Sequence, residues 1–100
     1  MLNDQVVTIQ EKIRPVLQEA GISRAGLFGS CARGEMNEAS DVDILVEFDR
    51  DQDMSLLDFI GIEHEIEDVL GREVDLVEYH LLKPRIKDKI LRQEVRIYER

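Results

Sequence analysis

Asp41 and Asp43 stand one residue apart in the stretch SDVDILVEF, residues 40–48. If that stretch is a strand, both carboxylates project from one face, with Cα atoms about 6.6 Å apart. Two such charges repel unless a cation lies between them, and oxygen-bound divalent ions are the usual cation. A solvated strand face would tolerate the pair as well. Asp75 adds a third acid, placed mid-run in EVDLVEY, between Val74 and Leu76. Should its strand lie beside that of Asp43, three carboxylates share a face. Three can hold two metal ions, which together activate an attacking oxygen and stabilise a leaving phosphate. One of the three can take the proton from a hydroxyl. An acid that guards an edge strand against aggregation would have the same appearance.

Gly29 and Ser30 close an apolar run ten residues before the Asp-x-Asp pair. Glycine lets backbone approach a ligand closely. Ser30 could offer its hydroxyl and its N–H, and a helical turn opening there would present free N–H groups to an anion. Arg33 is placed to add a forked cation. A lone Gly-Ser occurs in any turn. The same pair followed by Arg33 and then by Asp41 and Asp43 is far more specific.

The elements that must position these residues are legible in outline. Val6, Ile9, Ile13, Val16 and Ala20 recur at helical spacing, with Asn3 or Asp4 as caps and Gly21 as a stop. Pro15 should either kink that helix or start a second short one. Residues 25–28 predict a short strand, and residues from 30 a helical turn or short helix, then a loop. Over 41–48, Val42, Ile44, Val46 and Phe48 alternate with Asp41, Asp43, Leu45 and Glu47. Residues 49–54 predict a charged turn or loop. Ser55 and Asp58 resemble a capping box ahead of a helix with apolar Leu56, Phe59, Ile60, Ile66 and Leu70, ended by Gly71. Residues 72–79 predict a third strand. Pro84 suits the first position of a last helix carrying Ile86, Ile90 and Leu91, and 95–99 is either a final strand or a tail. The expected fold class is α/β (α+β), one domain over 1–100, with a small mixed sheet of three to four strands flanked by helices.

Composition excludes some functions. The chain has 100 residues and a formal net charge of −9, which makes a general nucleic-acid binder a poor fit, because phosphate backbones demand Lys and Arg. Charge is also uneven. Residues 47–78 hold twelve acidic and two basic side chains, whereas 83–100 hold seven basic and three acidic. Solvated helix faces would explain this, and so would electrostatic pairing with a partner. The single cysteine, Cys31, allows no internal disulfide. No apolar run approaches the roughly 18 residues of a membrane span, and MLNDQVV lacks the form of a signal peptide. A soluble cytoplasmic protein is expected. His64 and His80 have no second His or Cys at zinc spacing and are expected to be surface or packing residues.

The stretch FGSCARGEMNEASDVDILVEF, residues 28–48, resembles the signature of the DNA polymerase beta nucleotidyltransferase superfamily. Its GS-x-ARG…SD-x-D form and the length of the chain resemble the minimal nucleotidyltransferases of prokaryotes. The resemblance extends over the first helix, the second helix, VDLV and LKPRIKDKIL. It implies that Gly29 and Ser30 hold the terminal phosphates of ATP, with Arg33 close by. It implies that Asp41 and Asp43 bind two Mg²⁺, and that Asp75 binds metal and activates the acceptor hydroxyl. The reaction implied is attack of that hydroxyl on an α-phosphate with release of pyrophosphate. Cys31 falls where such signatures vary and is expected to be a small filler. Larger relatives carry extra domains for the acceptor, so here the acceptor should come on another chain. The resemblance implies a HEPN-type ribonuclease toxin as that partner, with AMP transferred to one of its tyrosines and this chain acting as antitoxin. A binding-only antitoxin, or a small-molecule nucleotidyltransferase with a separate substrate-binding subunit, are the alternatives. Tyr98 is a self-modification candidate only as a flexible hydroxyl near an end.

Overall fold

The computed structural model describes residues 4–35, 37, 41–49 and 54–100. Asn3 and most of the expected 49–54 turn lie outside them. The chain runs α1 (Asp4–Glu19), β1 (Ile22–Phe28), β2 (Val42–Phe48), α2 (Leu56–Leu70), β3 (Val74–Glu78), a 3₁₀ turn (Tyr79–Leu81), α3 (Pro84–Gln93) and β4 (Val95–Glu99). The four strands form one mixed sheet in the order β3-β2-β1-β4. β1 is antiparallel to β2 and β4, and β2 is parallel to β3.

One face of the sheet carries the core. Ala25, Leu27, Val42, Ile44, Val46, Val74, Leu76 and Ile97 pack there against Ile9, Ile13 and Leu17 of α1 and Ile62 and Ile66 of α2. The helical and strand periods of the sequence are thus spent on the same interior. Helix α1 runs through Pro15 as a single element. No second helix starts there, because Pro15 is on the exposed side and the buried stripe continues from Ile13 to Val16 and Leu17. Ser55 caps α2 in a complete capping box: its hydroxyl accepts from the Asp58 N–H at 3.1 Å, and the Asp58 carboxylate accepts from the Ser55 N–H at 3.3 Å. Gly71 ends the helix in the left-handed conformation, φ 69°.

Several expectations shift. β1 begins at Ile22, three residues early, because Ile22 pairs with Phe48 and is buried. Residues 95–99 are a true edge strand rather than a tail. Tyr98 is accordingly not a flexible terminal hydroxyl, since it pairs opposite Ala25 and packs partly against the core. Leu56 and Ile60, expected on the buried stripe of α2, are exposed; the stripe follows Phe59, Ile62, Ile66 and Leu70.

The connections place the helices. Helix α2 packs on the core face; α3 buries none of its residues, and the chain just beyond it reaches the opposite face of the sheet. Glu94, just after α3, does lie over Gly26 on that face. Leu45, expected among the polar residues of β2, is fully buried, because the chain returns over it. Tyr79 of the 3₁₀ turn is buried there, and the Arg24 guanidinium lies 4.1 Å from its ring centroid while pairing with Glu47 at 3.0 Å. Among the described residues no helix is long and apolar enough to cross a membrane.

Candidate active site

The acids meet through strand register. Asp43 on β2 is paired with Asp75 on β3 and, on its other side, with Phe28 on β1. In a parallel ladder directly paired residues share a face, so both carboxylates stand on the face opposite the core, with Cα atoms about 4.8 Å apart. Asp41 precedes β2 and is exposed, as is Asp75. Asp43 is half-buried. Burial pushes its carboxyl above the ordinary carboxylate range, and the charges of Asp75 and Asp41 push it further, while Arg33 opposes them. The three acids therefore repel one another in the metal-free chain. No group of three His, Cys, Asp or Glu among the described residues is already drawn together around one point. A like-charged row of one half-buried and two exposed carboxylates is a donor set that suits divalent cations.

The turn after β1 faces this row. Gly29 is left-handed, φ 72°, and a Cβ on it would collide with the Asp43 carboxylate. Residues 30–34 make a helical turn rather than a helix. The Arg33 N–H donates to the Gly29 carbonyl at 3.3 Å, the Gly34 N–H to Cys31 at 3.3 Å and the Glu35 N–H to Ser30 at 2.9 Å. No described backbone carbonyl accepts from the N–H groups of Ser30, Cys31 or Ala32, which leaves the opening of the turn rich in donors. Arg33 pairs with Glu35 at 3.0 Å on the surface, a contact that a phosphate could replace. Cys31 points inward and is part of the core. Its thiol is pushed up by burial above all, with Arg72 lowering it and Asp43 raising it. It behaves as the filler expected.

Arg72 was not marked by any motif. It donates through Nη1 to the Asn37 carbonyl at 2.7 Å and lies three residues before Asp75. It thereby ties the loop between Gly29 and Asp41 to the start of β3. The Val42 N–H, donating to the Glu73 carbonyl at 3.0 Å, makes a second tie at the same level. The one available signal was that Arg72 is one of only two basic residues in the acidic stretch 47–78. His64 and His80 are exposed, and His80 lies 3.8 Å from the Glu78 carboxylate.

The profile of the nucleotidyltransferase domain family matches residues 10–97. The chain belongs to that family. This nucleotidyltransferase is 48% identical over 87 residues to a protein of Methanocaldococcus jannaschii provisionally named a protein adenylyltransferase, spanning 87% of this chain and 91% of that one. It is 41% identical over 92 residues to protein adenylyltransferase MntA of Thermococcus cleftensis, spanning 92% and 89%. A solved structure provisionally described as a minimal nucleotidyltransferase superposes with TM-score 0.77 at 34% identity over 92% of both chains. The fold is shared as well by an MNT antitoxin or its partner in a complex with tri-AMPylated Shewanella oneidensis HEPN toxin, at TM-score 0.71 and 18% identity, over 95% of this chain and 73% of that one. The nucleotidyltransferase fold expected from the sequence is the one observed.

Proposed function

We propose that this nucleotidyltransferase moves AMP from ATP to a hydroxyl of a partner protein, a HEPN-type toxin, and so acts as its antitoxin. The observation that supports it most is the pairing of Asp43 with Asp75 on one face, directly beside the Gly29 turn. In this reading the N–H groups at the opening of that turn, the Ser30 hydroxyl and Arg33 hold the triphosphate. Asp41, Asp43 and Asp75 would hold Mg²⁺, whose chemistry is to neutralise charge on the reacting phosphates. Asp75, the more exposed of the paired acids, takes the acceptor's proton. The acceptor oxygen bonds to the α-phosphorus, the bond from that phosphorus to the bridging oxygen breaks, and pyrophosphate leaves. The relatives' names and the AMPylated toxin of the Shewanella oneidensis complex favour a protein acceptor. A cytoplasmic setting belongs to the same reading.

Intact mass spectrometry tests this. Incubated with Mg-ATP and this chain, a cognate HEPN-type protein should gain one or more AMP units. The gain should vanish with Asp43→Asn or Asp75→Asn. A tight complex with no mass change would instead point to masking without turnover.

A further inference from the structure

The outer edge of β3 has no strand partner among the described residues, and a groove of about 390 Å³ runs along it. Met54, Leu56 and Phe59 form one wall; Leu76, Val77 and Leu81 form the other. Two of these side chains are placed where solvation alone would not put them: Leu56 is 74% exposed and Leu81 63%. Leu56 shares a flank of α2 with the exposed Ile60. An open apolar groove beside a free strand edge is a common form of peptide- or protein-binding surface.

We infer that this groove docks the acceptor protein, by taking one of its aliphatic or aromatic side chains, and thereby delivers the acceptor hydroxyl to Asp75. The inference rests on the proposed transfer to a protein hydroxyl. Position supports it. Val77 lines the groove and lies on the same face of β3 as Asp75, two residues on, about 6.6 Å along the strand. A side chain anchored at Val77 and Leu81 thus stands within one strand repeat of the acid. Charge names the kind of partner. Glu78 lines the groove and Asp58 lies in the adjacent first turn of α2, and both belong to the sequence stretch 47–78 with its twelve acidic and two basic residues. A basic protein is attracted to that surface, whereas a second copy set against it symmetrically would bring acid against acid.

Leu56→Glu and Leu81→Glu test the inference, with Leu57→Glu as control. Leu57 is exposed and lies on the other flank of α2, outside the groove. All three positions are exposed, so the variants should fold. Affinity for a cognate HEPN-type protein is measured by calorimetry in the Asp43→Asn background, AMP transfer in the otherwise native chain, and Mg-ATP affinity separately. The two groove variants should weaken protein binding, and raise the acceptor KM, by about tenfold or more. Their Mg-ATP affinity should stay within about twofold, and the control should match the parent. Unchanged protein binding in both groove variants overturns the inference. So does an equal loss of Mg-ATP affinity, which would assign the groove to the nucleotide. So do a native chain that does not bind the HEPN-type protein, and self-association that the groove variants abolish. Groove-dependent binding without AMP transfer would leave the docking surface standing and remove the transferase reading.

Discussion

The carboxylate of Asp43 occupies the space into which any side chain at Gly29 would have to grow. The turn proposed to hold phosphate and the proposed metal-binding acid are therefore one packed unit. Gly29 is also left-handed, φ 72°, so an alanine there is strained by backbone and by contact together. Gly29→Ala should cost about 1–3 kcal/mol of stability and lower kcat/KM by roughly a hundredfold or more, since a misplacement near 1 Å can cost that much. Thermal melts and steady-state kinetics on the folded fraction check both.

Asp43 ties stability to pH. Its carboxyl is raised by burial and by the neighbouring acids, so the folded chain keeps that proton at pH values where the unfolded chain, with a carboxyl near 3.9, has lost it. Ionisation of Asp43 then costs stability as pH rises through the folded value. Without divalent ions, Asp43 should contribute stability that grows as pH falls from neutral through the folded value and is fully present below the unfolded one. Asp43→Asn should melt higher than the native chain at pH 7, with a flatter pH dependence, and should be inactive. Mg²⁺ should raise the melting temperature of the native chain far more than that of the variant, by an amount corresponding to about 2.7 kcal/mol at 100 times the dissociation constant.

Arg72 should act on nucleotide binding from outside the signature. Its hydrogen bond to the Asn37 carbonyl holds the loop that connects Gly29 to Asp41. Arg72→Ala should raise the ATP KM several-fold by about 1–2 kcal/mol of lost binding, with a smaller change in kcat. Arg72→Lys should restore part of the effect, because one donor suffices for one carbonyl.

The Glu94 carboxylate rests on Gly26, and its side chain is only 6% exposed. One of its oxygens pairs with Arg96 at 3.1 Å. Gly26→Ala should destabilise by about 1–3 kcal/mol through overpacking. Combined with Glu94→Ala it should cost less than the sum of the two single changes, a coupling that a double-mutant cycle in denaturant reads directly.

Much of the fold was legible because local chemistry and period agreed. The α1 stripe, the Ser55–Asp58 box, Gly71 as a stop and Pro84 opening α3 all act over a few residues, and each stands where the chain suggested. The candidate site was legible for a different reason: Gly29, Ser30, Arg33, Asp41 and Asp43 fall within fifteen residues, so their types and spacing could be read together. Leu45 and Leu56 were misplaced, because burial of a strand face or a helix flank depends on what returns over it. Tyr79 and Glu94 return over the sheet face that carries Leu45, Glu94 against Gly26 of β1, while nothing in the described chain covers Leu56.

The sequence by itself determined which residues could do chemistry and which short elements would carry them, since both are set by side-chain type and by interactions a few residues long. Tertiary structure alone decided that Asp75 stands beside Asp43, that Gly29 is packed against that same carboxylate, that Arg72 holds the loop, and that the edge of β3 stays open. Each of these depends on strand order and register, and register is fixed only when the whole sheet closes over one core.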